Sequence, residues 1–97
     1  MRKMYVVVRK DLSPAAQAVQ GGHALAGLLQ LDPDIEWRNS TLVFLGVRGQ
    51  AQLHNLHHKF GINNVICFLW AEPDMGDQVT ALAVYVDEDV LKSVNCI

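Results

Sequence analysis

The sequence predicts an α/β fold: a mixed four-stranded sheet with helices on both faces, in the order β-α-β-α-β-β-α. Three observations predict it. Tyr5-Val6-Val7-Val8 is an unbroken run of β-formers, which suits a strand covered on both faces. Ser13-Pro14 follows closely as a helix start, so strand, helix and next strand make a crossover unit, which favours parallel pairing with a right-handed connection. Only the short segment Glu72 to Asp77 separates the last two apolar runs, which favours an antiparallel pair. At 97 residues, with 51% hydrophobic and 19% charged, one domain over 1–97 can bury a core and is not expected to stay disordered.

Taken in order, Met4 to Arg9 is the first strand, and Asp11, Leu12 and Ser13 turn the chain. Ser13 can cap the free amides of the first helix, and Pro14 suits its first position because no donor is needed there. That helix runs to about Leu31, with Ala15, Val19, Gly22, Ala26 and Leu29 making one thin face. Gly21-Gly22 in its middle costs roughly 1 kcal/mol each relative to alanine, so close packing on the sheet or on a partner subunit should compensate. Asp32-Pro33-Asp34 ends the helix, and Trp37 to Ser40 is a loop. Thr41 to Val47 is the second strand. Gly49 to Phe60 is the second helix, with Leu53, Leu56 and Phe60 inward and Gly61 as its C-cap. Val65 to Trp70 and Val79 to Val86 are the third and fourth strands. Asp87 is expected to cap a last short helix, Glu88 to Val94.

The net charge of -2 gives no general affinity for nucleic acid, which needs a basic surface, although a local basic patch remains compatible with it. No run reaches membrane-spanning length, and the N-terminal apolar stretch is too short for a signal peptide, so a cytoplasmic protein with no membrane partner is expected. Cys67 and Cys96 read as reduced thiols in such a compartment, with a disulfide between them the lesser reading. His54, His57 and His58 have spacings that place pairs on one helix face, but no carboxylate or cysteine accompanies them, so no metal and no cofactor are assigned.

In open α/β sheets, ligands bind outside the carboxyl ends of the parallel strands. Arg9-Lys10-Asp11 and Glu72-Pro73-Asp74 both fall there, and Gln20 and His23, three apart on the first helix, face similarly. With Thr80 these residues make the candidate pocket. Asp11, Glu72 and Asp74 are its candidate catalytic carboxylates. Each also has a plainer reading: Asp11 as an acceptor for turn amides, His23 as a hydrogen-bonded structural histidine, Glu72 and Asp74 as solvated loop residues.

Several of these residues, in order, resemble the archaeal/eukaryotic-type peptidyl-tRNA hydrolases (type II). Met4, Val6-Val7-Val8, Arg9, Asp11 and Leu12 are similar to that family's first strand and its Arg-x-Asp-Leu ending. Ala18, Gln20, His23 and Ala24 resemble its helix motif, usually Ala-Ala-Gln-Cys-x-His-Ala. Gly76 and Thr80 to Val84 resemble its last strand, which follows a Gly-Thr-x-Thr segment. Two departures stand out. The family's glycine- and lysine-rich turn is cut to Ser13-Pro14-Ala15-Ala16, without the lysine held to be functional. Glu72 stands in the place of an aspartate, and the loop after it is short and acidic, with Asp74 and Asp77.

The resemblance implies hydrolysis of a peptidyl or aminoacyl ester of tRNA, tRNA as a partner, and a homodimer. Asp11, Glu72 and Asp74 would then be catalytic, and Arg9, Lys10, Gln20, His23 and Thr80 would bind substrate. The lost lysine supports a competing expectation, a non-catalytic binding module on the same fold, because it removes a charge that could stabilise an oxyanion.

Overall fold

The computed structural model describes residues 1–92 and 95–96. Strand β1 is Arg2–Arg9, helix α1 Pro14–Leu31, β2 Leu42–Val47, α2 Gln50–Ile62, β3 Cys67–Glu72 and β4 Gln78–Asp87. Single 3-10 turns follow β3 at Pro73–Met75 and β4 at Glu88–Leu91. Two pairings are as expected, β1 with β2 parallel and β3 with β4 antiparallel. Strand β4 also lies antiparallel beside β1, a neighbour that local sequence does not specify. A two-residue strand, β5 at Asn95–Cys96, adds to β2, giving the order β3-β4-β1-β2-β5.

Helix α1 covers one face of the sheet and α2 the other. Strand alternation sorts the core accordingly. Met4, Val6 and Val8 meet Ala24 and Leu28 of α1, with Ala81 and Ala83. Tyr5 and Val7 meet Leu53 and Phe60 of α2, with Leu82 and Val84. Phe60, 1% exposed, contributes roughly 1.5–3 kcal/mol by its burial. Trp37 lies in a loop yet is buried, because its indole N–H donates to the Thr41 carbonyl at 2.9 Å.

The start of α1 is built as the sequence predicts: Ser13 Oγ accepts from the Ala16 amide at 3.2 Å, and Pro14 takes the first helical position. The buried face is different. Gln20, Gly21, Ala24 and Leu28 face the sheet, while Val19 is 58% and Leu29 38% exposed. The expected apolar stripe therefore points to solvent. Gly21 and Gly27 explain the closeness of the helix. A Cβ on Gly21 would sit 2.5 Å from the Phe44 ring, and one on Gly27 2.3 Å from the Phe68 ring. Gly22 meets nothing within 4 Å.

Two end signals were also resolved differently. Helix α2 continues through Gly61 to Ile62, and Asn63 closes it, its Nδ2 donating to the Lys59 carbonyl at 2.9 Å. The expected last helix is a 3-10 turn over Glu88–Leu91; residues 93 and 94 lie outside the described residues. Asp87 makes no side-chain cap there, because its carboxylate pairs with the Met1 ammonium at 3.2 Å. Cys67 is a free thiol on β3. The backbone of Cys96 lies on β5, four strands away across the sheet, about 19 Å at ordinary strand spacing. That distance is far beyond what a disulfide spans.

Candidate active site at the carboxyl end of the sheet

Strands β1, β2 and β3 all run antiparallel to β4 or parallel to its partner, so their carboxyl ends, Arg9, Val47 and Glu72, share one end of the sheet with Gln78. The predicted site residues gather there in two clusters.

The first cluster is centred on Arg9. By alternation with Tyr5 and Val7 its side chain belongs to the α2 side of the sheet. Arg9 is nearly buried and fully engaged. Its Nε and Nη2 donate to Asp11 Oδ1 and Oδ2 at 3.0 and 2.7 Å, a two-pronged pair. Its Nη1 donates to Gln78 Oε1 at 2.9 Å and to the Val79 carbonyl at 3.2 Å. The hydrogen bonds from Arg9 hold the Asp11 carboxyl below its ordinary range, and the same pair raises Arg9. Arg9 thus ties the end of β1 to the start of β4. Asp11 serves chiefly the guanidinium, and its own backbone amide adds a smaller downward pull on the carboxyl.

The second cluster is centred on Gln20, on the α1 side. Register pairs Trp70 with Ala81 but Ala71 with Val79, leaving Thr80 as the extra residue of a β-bulge. The bulge turns the buried Thr80 toward α1, where its hydroxyl donates to Gln20 Oε1 at 2.6 Å. The Trp70 indole N–H donates to the same oxygen at 3.0 Å. An indole can only donate, so the amide orientation of Gln20 is fixed, and its Nε2 must face an acceptor. That acceptor is Glu72 Oε1 at 2.9 Å. Glu72 Oε2 accepts from the Asp74 amide at 3.3 Å, capping the turn that follows β3.

Glu72 is consequently a carboxylate. The Gln20 bond lowers its pKa most, the Asp74 amide next, and His23 adds a smaller attraction. His23 itself stacks on Trp70, ring centroids 4.6 Å apart and planes 14° from parallel. The site therefore offers a fixed acceptor with unused lone pairs beside an aromatic ring pair. Such an acceptor can orient a water or an amine; held in its ionised form, it is a weak proton acceptor and no proton donor.

The structure joins Gln20, Thr80, Glu72 and, through Trp70, His23. It keeps Arg9 with Asp11 on the other side of the sheet. Lys10 and Asp74 are exposed, and no side-chain bond to either is found among the described residues. The three carboxylates do not form one group: Asp11 is held by Arg9, Glu72 by Gln20, and Asp74 contributes its backbone amide. Sequence reasoning passed over Trp70 and Gln78. Trp70 was findable, since it stands two residues before Glu72 and so shares its face of β3. His54, His57 and His58 are exposed on α2, and no group of three metal-ligating side chains occurs among the described residues. A cavity of about 370 Å³ lies at the opposite end of the sheet, lined by Arg2, Ile35, Val65, Tyr85 and Val90 among others. No helix among the described residues is long and apolar enough to cross a membrane.

Comparison with known proteins agrees with this architecture. No curated protein matches the chain. Among solved structures, a protein of unknown function from Agrobacterium tumefaciens superposes with a TM-score of 0.75 at 14% identity, over 99% of this chain and 97% of the other. At that identity the likeness shows the fold alone. The model of the family described as peptidyl-tRNA hydrolase PTH2 matches residues 2–94. That match takes in Arg9, Gln20, Glu72 and Thr80 together with every long strand and both helices, and the chain belongs to the PTH2 peptidyl-tRNA hydrolase family.

Proposed function

We propose that the chain hydrolyses the ester joining a peptidyl or aminoacyl group to tRNA, with Glu72 positioning the attacking water. The observation that carries this reading is the Glu72 carboxylate, locked by Gln20 at the carboxyl end of the sheet in a chain of this family. Arg9 is committed to Asp11, Gln78 and Val79, so Lys10 and backbone amides are left to stabilise the oxyanion. Asp74, exposed on the adjoining turn, is the second candidate base. The test is release of peptide from purified peptidyl-tRNA. Wild type should release it, Glu72→Gln should lose at least tenfold in rate, and Asp74→Asn reports on the second carboxylate. No release above background at high protein concentration would remove the hydrolase reading.

A second reading has its own observation. Both oxygens of Asp11 are held by Arg9, and the turn before α1 carries no lysine. A fold that keeps the site's scaffold without its cation suits a binding module that does not cleave. tRNA binding with a steep salt slope but without cleavage would favour it. A homodimer and a cytoplasmic location belong to either reading. The exposed α1 stripe with Val19 and Leu29, or the outer edge of β3, offers the dimer surface. A monomeric mass by sedimentation at micromolar concentration would remove the dimer.

A further inference from the structure

The α1 side of β3 carries a ladder of rings that runs from the core outward. Phe68 is the innermost, seated against Gly27, where the absence of a side chain makes room for it. Trp70 follows, its centroid 6.4 Å from Phe68 with planes 22° apart. His23 is the outermost, stacked on Trp70 at 4.6 Å and 14°. Trp70 cannot turn in place without giving up its bond to Gln20 Oε1, so the ladder is held rigidly. His23 is exposed, and Trp70 is the one ring described against it, so one face of the imidazole is turned away from the stack.

We infer that the outer face of His23 is a stacking platform for a nucleobase, presented next to the Glu72 carboxylate. The choice of nucleic acid over other planar ligands rests on the proposed ester hydrolysis. An ester on a terminal ribose carries its own base a sugar's width from the reacting carbonyl, and a ring face beside Glu72 is where that base would lie. Stacking also fits the protein's charge. A chain of net charge -2 gains little from phosphate attraction, and base stacking supplies binding that is largely independent of it. The platform is pre-formed, so the base pays no cost for ordering it.

The experiment uses the full chain and an RNA trinucleotide ending in adenosine, with tryptophan emission as the signal. The trinucleotide should quench emission saturably. His23→Ala should weaken its binding about tenfold or more, the range of one stacked base, while His23→Phe should stay within about threefold of wild type. Circular dichroism of His23→Ala confirms that the fold is retained. Equal binding by wild type and His23→Ala overturns the platform, as does absence of trinucleotide binding. N-acetyltyrosinamide competing as well as the trinucleotide also overturns it, in favour of a site for a peptide ring. Peptidyl-tRNA cleavage measured alongside separates the two ideas. Cleavage with an unchanged KM in His23→Ala sinks the platform and leaves the hydrolase. Aromatic-dependent binding without cleavage sinks the hydrolase and leaves the platform.

Discussion

Two adjacent glycines on one helix should respond oppositely to the same substitution. Gly21 and Gly22 share helix α1 and the same intrinsic penalty, so replacement by alanine offers each the same backbone gain, about 0.4–1 kcal/mol. Their surroundings differ. A Cβ on Gly22 meets nothing within 4 Å, so Gly22→Ala should deliver that gain in full. A Cβ on Gly21 would lie 2.5 Å from Phe44 Cε2 and 3.0 Å from Val6 Cγ1. Val6 is completely buried between the helix and the sheet, so the strain must fall on the Phe44 ring or on the helix position, at about 1–3 kcal/mol. The net effect at Gly21 is destabilising by up to about 2 kcal/mol, and the two variants should differ by about 1–3 kcal/mol. In a domain of this size, 1 kcal/mol moves Tm by about 4–8 °C. Thermal and urea melts followed by far-UV circular dichroism can resolve that gap easily. Equal shifts of the same sign in both variants would refute the packing of α1 on Phe44 and Val6. A destabilised Gly22→Ala whose loss grows with protein concentration would instead show a second copy seated on the exposed stripe.

Other expectations follow from the two polar clusters. Gln20→Leu removes the bond that most lowers Glu72, so the Glu72 titration should move up toward its ordinary value, read by carboxyl carbon chemical shifts in NMR. Asp11, Glu72 and Glu88 all have lowered folded-state pKa values, so the stability they provide is present above their unfolded values and is lost as pH falls through the folded ones. Urea midpoints should therefore hold from neutral pH to about pH 5 and drop below about pH 4, with a smaller drop in Gln20→Leu. Arg9→Lys cannot reproduce the two-pronged Asp11 pair together with the Gln78 and Val79 bonds, and should cost about 2 kcal/mol in urea unfolding, where an unchanged midpoint would count against the tie. Burial pushes the Cys67 thiol up to about 11, so it should react with iodoacetamide far more slowly in the native protein than in urea, and equal rates would contradict its placement.

Much of the frame was readable because local signals and the final packing agree. The Tyr5–Val8 run has no polar alternation, and β1 is in fact the strand with β4 and β2 on either side and a helix on each face. Ser13-Pro14 announced α1 because capping chemistry acts within a few residues. The facing of α1 was not readable, and the reason is specific. Small or apolar residues occur all around this helix, so hydropathy chooses its face only weakly, and it rejects a glutamine from the core. Gln20 is 6% exposed because Trp70, Thr80 and Glu72 satisfy its amide, and those partners come from residues fifty or more positions away. The bulge that delivers Thr80 depends on the pairing of β3 with β4, which no local pattern encodes.

The same fact bears on function. Gln20 takes the inward face of α1 at a position where an apolar residue would pack on the sheet without needing partners. Three side chains are arranged to satisfy it, and one of them, Glu72, is left with acceptor capacity turned to the carboxyl end of the sheet. A purely structural core would gain little from this arrangement, because a buried polar network at best offsets its own desolvation. The residue that misled the reading of the helix face is therefore the one that fixes the carboxylate, and Gln20→Leu separates the two roles. Replacing the amide by an apolar side chain of similar reach leaves the buried Thr80 hydroxyl and the part-buried Trp70 indole N–H without their acceptor, which should cost about 2–4 kcal/mol of folding stability at neutral pH. Glu72 should lose its orientation and its lowered pKa. Loss of peptide release or of trinucleotide binding in a variant that circular dichroism shows to be still folded at the assay temperature would place the network in service of the site. Retention of both would make Gln20 a packing device whose polar partners merely accommodate it.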